Sequence, residues 1–122
     1  MLSKFTGLPA SELWSMRNGY ALCSQAGLDA INAALNGFSE AELEQLRGSL
    51  CIGVHSSVEV TDAGVGTGQV VSQAYCSALP VAYSNLPKNS WKSFACLVLE
   101  AAYEATLLAA RENAERGGSN IV

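Results

Sequence analysis

The side chains able to do chemistry are few and scattered. There is one histidine, His55, and there are four cysteines: Cys23, Cys51, Cys76 and Cys96. The cysteines lie 28, 25 and 20 residues apart, with no C-x-x-C pair and no metal-ligand spacing. Each falls in an apolar stretch, so they read as small buried thiols, reduced as in the cytoplasm. His55 could pair with Cys76 or Glu59 as base and nucleophile. Cys76 falls in mid-strand rather than at an exposed turn, so a structural or surface histidine is the simpler reading. Glu100 and Glu104 form a like-charge i,i+4 pair, which costs a few tenths of a kcal/mol when exposed. With Ser93 and Arg111 they make a stripe about 40° wide. That stripe is a thin solvated face, a carboxylate pair awaiting a cation or amine, or half of an intersubunit salt bridge. Tyr75, Tyr83 and Tyr103 could meet around a pocket, since amphipathic rings suit such walls. Gly64-Val65-Gly66-Thr67-Gly68 resembles a phosphate cradle but lacks the lysine of a P-loop and precedes a strand, so it reads as a hairpin loop. The candidate ligand-binding residues are His55, Tyr83, Glu100, Tyr103 and Glu104. No catalytic residue, metal site or cofactor follows from the spacing.

The elements that must position these residues follow from periodicity and punctuation. Residues 9–17 open with Pro9 and an early acid, as a short helix does. A second helix is expected from about 20 to 35, with Asn36-Gly37 as its stop. Ser39-Glu40-Ala41-Glu42 is a capping box, with Phe38 and Leu43 placed as a hydrophobic staple. From Leu50 the period changes to two, giving a strand over 50–61 with Leu50, Ile52, Val54, Val58 and Val60 on one face. A second strand, 69–79, is apolar on both faces and is expected to be central. A third could begin at 120–122. Ser90 opens the longest helix, 91–116, which Gly117-Gly118 ends. The fold class is α/β or α+β: a small sheet, one long covering helix and short N-terminal helices, in a single domain of residues 1–122. Residues 1–48 form its helical part and 49–122 a strand-strand-helix part.

The long helix is apolar almost all round, from Phe94 to Ala110. A helix of that kind is buried on more than one side, and the rest of the chain is short of material to cover it. A homo-oligomer is the expected cover. The stretch carries Glu100 and Glu104 and falls short of the roughly 20 residues of a membrane span. The N-terminus lacks the charged and apolar regions of a signal peptide. With 122 residues and 12.8 kDa the chain suits one domain. Seven Lys+Arg against eleven Asp+Glu argue against nucleic acid or an anionic membrane as the main partner.

Three stretches are similar to a known family. They are Gly53-Val54-His55 through Asp62, the string Ser77-Ala78-Leu79-Pro80-Val81-Ala82-Tyr83-Ser84 with Val71 to Cys76 before it, and Leu99-Glu100-Ala101-Ala102-Tyr103-Glu104-Ala105-Thr106-Leu107. Over about residues 46–122 the chain resembles the centre of a family of larger, mostly uncharacterised proteins related to macrodomains. The resemblance implies a long helix packed on a sheet, and the binding of ADP-ribose or a related nucleotide. In the larger relatives the next strand leads into a glycine-rich G-G-G-x-F-G-N turn suited to phosphate, whereas this sequence reaches Ile121-Val122 before any such turn. A truncated relative that dimerises to replace the missing half, and the product of a mobile gene cassette, is what the resemblance suggests. The leading expectation is a non-enzymatic, cytoplasmic homo-oligomer with a small-molecule or protein site at a subunit interface. The alternatives are a degenerate macrodomain-like nucleotide binder, and a hydrolase using His55 and a carboxylate.

Overall fold

The computed structural model describes residues 2–60 and 68–118. Five helices and two antiparallel hairpins follow one another. They are α1 (Leu2–Thr6), α2 (Ala10–Leu13), β1 (Trp14–Arg17), β2 (Tyr20–Cys23), α3 (Gln25–Gly37), α4 (Glu40–Arg47), β3 (Gly53–Glu59), β4 (Val70–Tyr75) and α5 (Lys88–Glu115), with a 3₁₀ turn at Val81–Tyr83. β1 pairs only with β2 and β3 only with β4 among the described residues. The mixed helix–strand class, the short N-terminal helices and the long C-terminal helix agree with the sequence reading.

The core is built by helices. Leu28, Ile31 and Leu35 share one face of α3, and Trp91, Phe94, Leu97, Ala101 and Ala102 share one face of α5. These faces meet over Leu13 and Leu46, and Leu13, Leu28, Ile31 and Trp91 are fully buried. Ser24 ties the layer together. Its Oγ donates to the Glu12 carbonyl at 2.7 Å and accepts from the Gly27 amide at 2.8 Å, capping α3 while holding the end of α2. The expected capping box forms around α4. The Ser39 amide donates to Glu42 Oε2 at 2.8 Å, and the Glu42 amide donates to Ser39 Oγ at 3.4 Å. Ser39 Oγ also donates to Glu42 Oε2 at 2.7 Å, and this bond, then that from the Ser39 amide, hold the Glu42 carboxyl below its ordinary pKa.

Four expectations need correction. Residues 14–17 and 20–23 are strands, not helix. Asn18 (φ 50°) and Gly19 (φ 82°) both take positive φ, as a two-residue type I′ turn requires, so they join a hairpin instead of stopping a helix. The N-terminal part is therefore not wholly helical. Next, β4 is not central: it has one neighbour, and all its residues are exposed. Third, β3 does not keep one apolar face. His55 faces Gln73 but Val58 faces Val71, so two residues bulge opposite one, with Ser57 at φ 59°. The slip puts Val54 and Val58 on opposite faces. Finally, Cys51, Cys76 and Cys96 are exposed and Cys23 is half-buried; all four are free thiols. Cys51 and Cys76 flank the hairpin outside the helical core, and Cys96, although between the core residues Phe94 and Leu97, points to the opposite side of α5. The expected strand at 120–122 and most of the glycine loop, 61–67, lie outside the described residues.

α5 starts earlier than Ser90, with Pro87 as its N-cap, and is 28 residues long. That is long and apolar enough to cross a membrane by length and composition. Its first half is docked in the core through Trp91, Phe94 and Leu97. Residues 103–115 have no buried member and carry the helix about 20 Å further.

Candidate functional site

The chemistry-bearing residues divide between α5 and the β3–β4 hairpin. The hairpin lies beside the second half of α5. Ser72 Oγ donates to Asn113 Oδ1 at 2.9 Å, and Cys76 Sγ lies 3.8 Å from Thr106 Oγ1. Ser72, Ala74 and, through the register, Val54 share the strand face toward the helix. His55, Gln73 and Tyr75 share the other. His55 is exposed there, on the strand face opposite the one that meets α5. Glu59 falls on the face opposite His55 because of the bulge. The structure therefore brings His55 together with none of the acids or thiols a base–nucleophile set needs. Among the described residues no group of three metal-ligating side chains lies close enough to hold an ion.

The tyrosines pair differently from the expectation. Tyr83 stacks on Tyr20 of β2, with ring centroids 4.9 Å apart and planes at 30°. Tyr75 donates its hydroxyl to Gln73 on its own strand. Tyr103 is 65% exposed on α5. Tyr20 gives no signal in the sequence as a partner of Tyr83, because its place beside the 3₁₀ turn depends on the unpredicted first hairpin.

Glu100 is tied to a residue that sequence reasoning did not single out. Arg47, at the end of α4, bonds Glu44 at 2.6 Å and Glu40 at 3.2 Å. These hydrogen bonds, that from Glu40 first, push the guanidinium pKa up. Its Nε lies 3.6 Å from Glu100 Oε2, a charge contact too long for a hydrogen bond, and that buried N–H has no partner. The only advance signal was the end position of Arg47, where a cation suits the helix dipole. Glu104 stays open on the same flank as Glu100, and Arg111 pairs loosely with Glu115 at 3.6 Å.

Two shallow grooves flank Arg47. One, of about 260 Å³, is walled by Leu2, Trp14, Leu46, Phe94 and Leu97. The other, of about 280 Å³, runs past Leu35, Leu43, Ser93, Cys96 and Glu100. Cys96 and Glu100 place the second groove beside the exposed flank of α5, where Leu99, Tyr103 and Leu107 are 44%, 65% and 60% exposed. Of the five candidate residues, Glu100 alone lines a groove; Tyr103 and Glu104 lie further along the same helix, and His55 and Tyr83 lie apart.

Compared with known proteins, the chain matches no family model, no curated protein and no solved structure. The macrodomain-like resemblance thus rests on the sequence strings alone.

Proposed function

We propose that this protein is a non-enzymatic homo-oligomer that binds a small molecule or a protein at its subunit interface. One observation carries the reading: the second half of α5 projects from the core with an apolar flank of Leu99, Tyr103 and Leu107 in the open. Scaled by exposure, these three side chains leave on the order of 300 Å² of apolar surface uncovered, a patch of the size that marks interaction sites. A second copy supplies the same flank to cover it, as a twofold assembly requires. The groove along Ser93, Cys96 and Glu100 opens beside that flank, so a ligand there would sit at the seam, with apolar walls and the Glu100 carboxylate at its mouth. The free thiols Cys51, Cys76 and Cys96, exposed on the surface, suit the reducing cytoplasm.

Sedimentation equilibrium at micromolar concentration tests the assembly. The expected result is a mass of at least twice 12.8 kDa, returning toward the monomer in Leu107→Glu. Because Leu107 is largely exposed in the single chain, this substitution leaves the fold standing. A wild-type monomer throughout, or recovery of the protein only with a membrane fraction, overturns the proposal.

A further inference from the structure

Resting on the oligomer proposed above, we propose that the second copy lies antiparallel along α5, with its Arg111 against Glu104 and its Ala110 and Ala114 receiving Tyr103. The argument begins with the helix circumference. At 100° per residue, Leu99, Tyr103, Leu107 and Ala110 fall within an arc of about 80°, with Ala114 inside it. The core closes the opposite side through Phe94, Leu97 and Ala101. One border of the open arc is held by the hairpin, which touches Thr106 and Asn113. The other border carries Glu100, Glu104 and Arg111.

Orientation then follows from how borders meet. In a parallel pair each border faces the unlike border of its neighbour. The acidic and basic residues would then run against the hairpin side, where Thr106 and Asn113 offer no charge. In an antiparallel pair like borders meet, and the order of charges reverses. Glu104 then comes opposite Arg111, twice by symmetry, while Glu100, already beside Arg47, comes opposite Glu115 at the ends of the overlap. Arg111 is free to respond, since its present partner Glu115 is 67% exposed and 3.6 Å away, a contact of little strength.

Shape selects the same register. Aligning Glu104 with Arg111 sets Tyr103 opposite residue 112, between Ala110 and Ala114. Both alanines are half-exposed, and together they leave a notch for a large ring, as a knob meets a hole. Leu107 then meets its own copy near the twofold axis. The register overlaps residues 100–115 of the two helices, so the helical cores stay at opposite ends while the two hairpins, on like borders, come side by side.

Cross-linking distinguishes this arrangement from the oligomer as such. In a chain with all four cysteines replaced by serine, Leu107→Cys is expected to form a disulfide dimer. A chain keeping Cys96 alone is expected not to, because the register sets the two Cys96 residues about 35 Å apart. Arg111→Glu is expected to weaken dimerisation about fivefold or more, and adding Glu104→Arg to restore it. Cross-linking through Cys96, or a dimer indifferent to Arg111→Glu, overturns the antiparallel register while leaving the oligomer in place. A wild-type chain that sediments as a monomer overturns both.

Discussion

Gly27 is the position where adding one methyl group should cost most. A Cβ there would lie 2.2 Å from the Leu13 carbonyl oxygen and 2.6 Å from its Cα. Both are backbone atoms that cannot rotate aside. Leu13 is fully buried, its carbonyl accepts from the Ser24 amide at 3.1 Å, and Ser24 also grips Glu12. Relief requires α2 and α3 to part by more than 1 Å, roughly the gap to ordinary contact distance. Overpacking of this kind costs about 1–3 kcal/mol, and loosening the Ser24 bond to Glu12 adds about 1. The better helix propensity of alanine returns at most about 1 kcal/mol. Gly27→Ala should therefore destabilise the fold by about 1–3 kcal/mol, a fall in Tm of roughly 4–12 °C for a chain this size. Gly37, at the other end of α3, has nothing within 4 Å of its would-be Cβ, so Gly37→Ala should be neutral or gain up to about 1 kcal/mol. Urea unfolding of both variants at one fixed protein concentration measures the difference, since association would shift the midpoint. A Gly27→Ala protein as stable as wild type would refute the close α2–α3 contact on which the core is built.

The capping box should be visible in the acid limb of stability. The folded Glu42 pKa lies below its unfolded value, so its contribution is present above the ordinary carboxylate range and lost as pH falls through the folded value. Ser39→Ala should lower Tm near neutral pH and flatten that limb, read by thermal melts across the acid range. Thiol labelling of the native protein should show three fast cysteines and one slow, Cys23, whose partial burial raises its pKa; equal rates at all four would contradict the placement of β2. Addition of ADP-ribose should leave Tm unchanged; a concentration-dependent rise would favour the nucleotide-binding alternative.

Local signals in the sequence were read well where a short motif decides the structure unaided. Ser39 and Glu42 satisfy each other's backbone groups within four residues, so no distant contact is needed to form α4. The apolar run of α5 likewise announces one long C-terminal helix. Asn18-Gly19 shows the opposite case. Its flanking segments, Trp14–Arg17 and Tyr20–Cys23, are four residues each, and Leu13, Trp14 and Met16 or Leu22 and Ala26 fit a helical spacing as well as a strand. The turn, with positive φ at both Asn18 and Gly19, is what decides for the hairpin. On β3 the alternation is real, but a bulge at Ser56-Ser57 cannot be seen in a period-two pattern, and it turns Glu59 to the face opposite His55. Arg47 and Glu100 lie more than fifty residues apart, and only the packing of α4 on α5 reveals their contact.

The irregularity at Ser57 bears on what this molecule avoids becoming. The β3–β4 hairpin has no third strand among the described residues, so its margins bear amide and carbonyl groups that a neighbouring molecule could zip onto. Such templating, repeated, makes fibres. A residue at φ 59° with one unmatched position twists that margin midway, and a straight incoming strand loses step within a few residues. The kink works as a chain terminator against strand-by-strand templating along that margin.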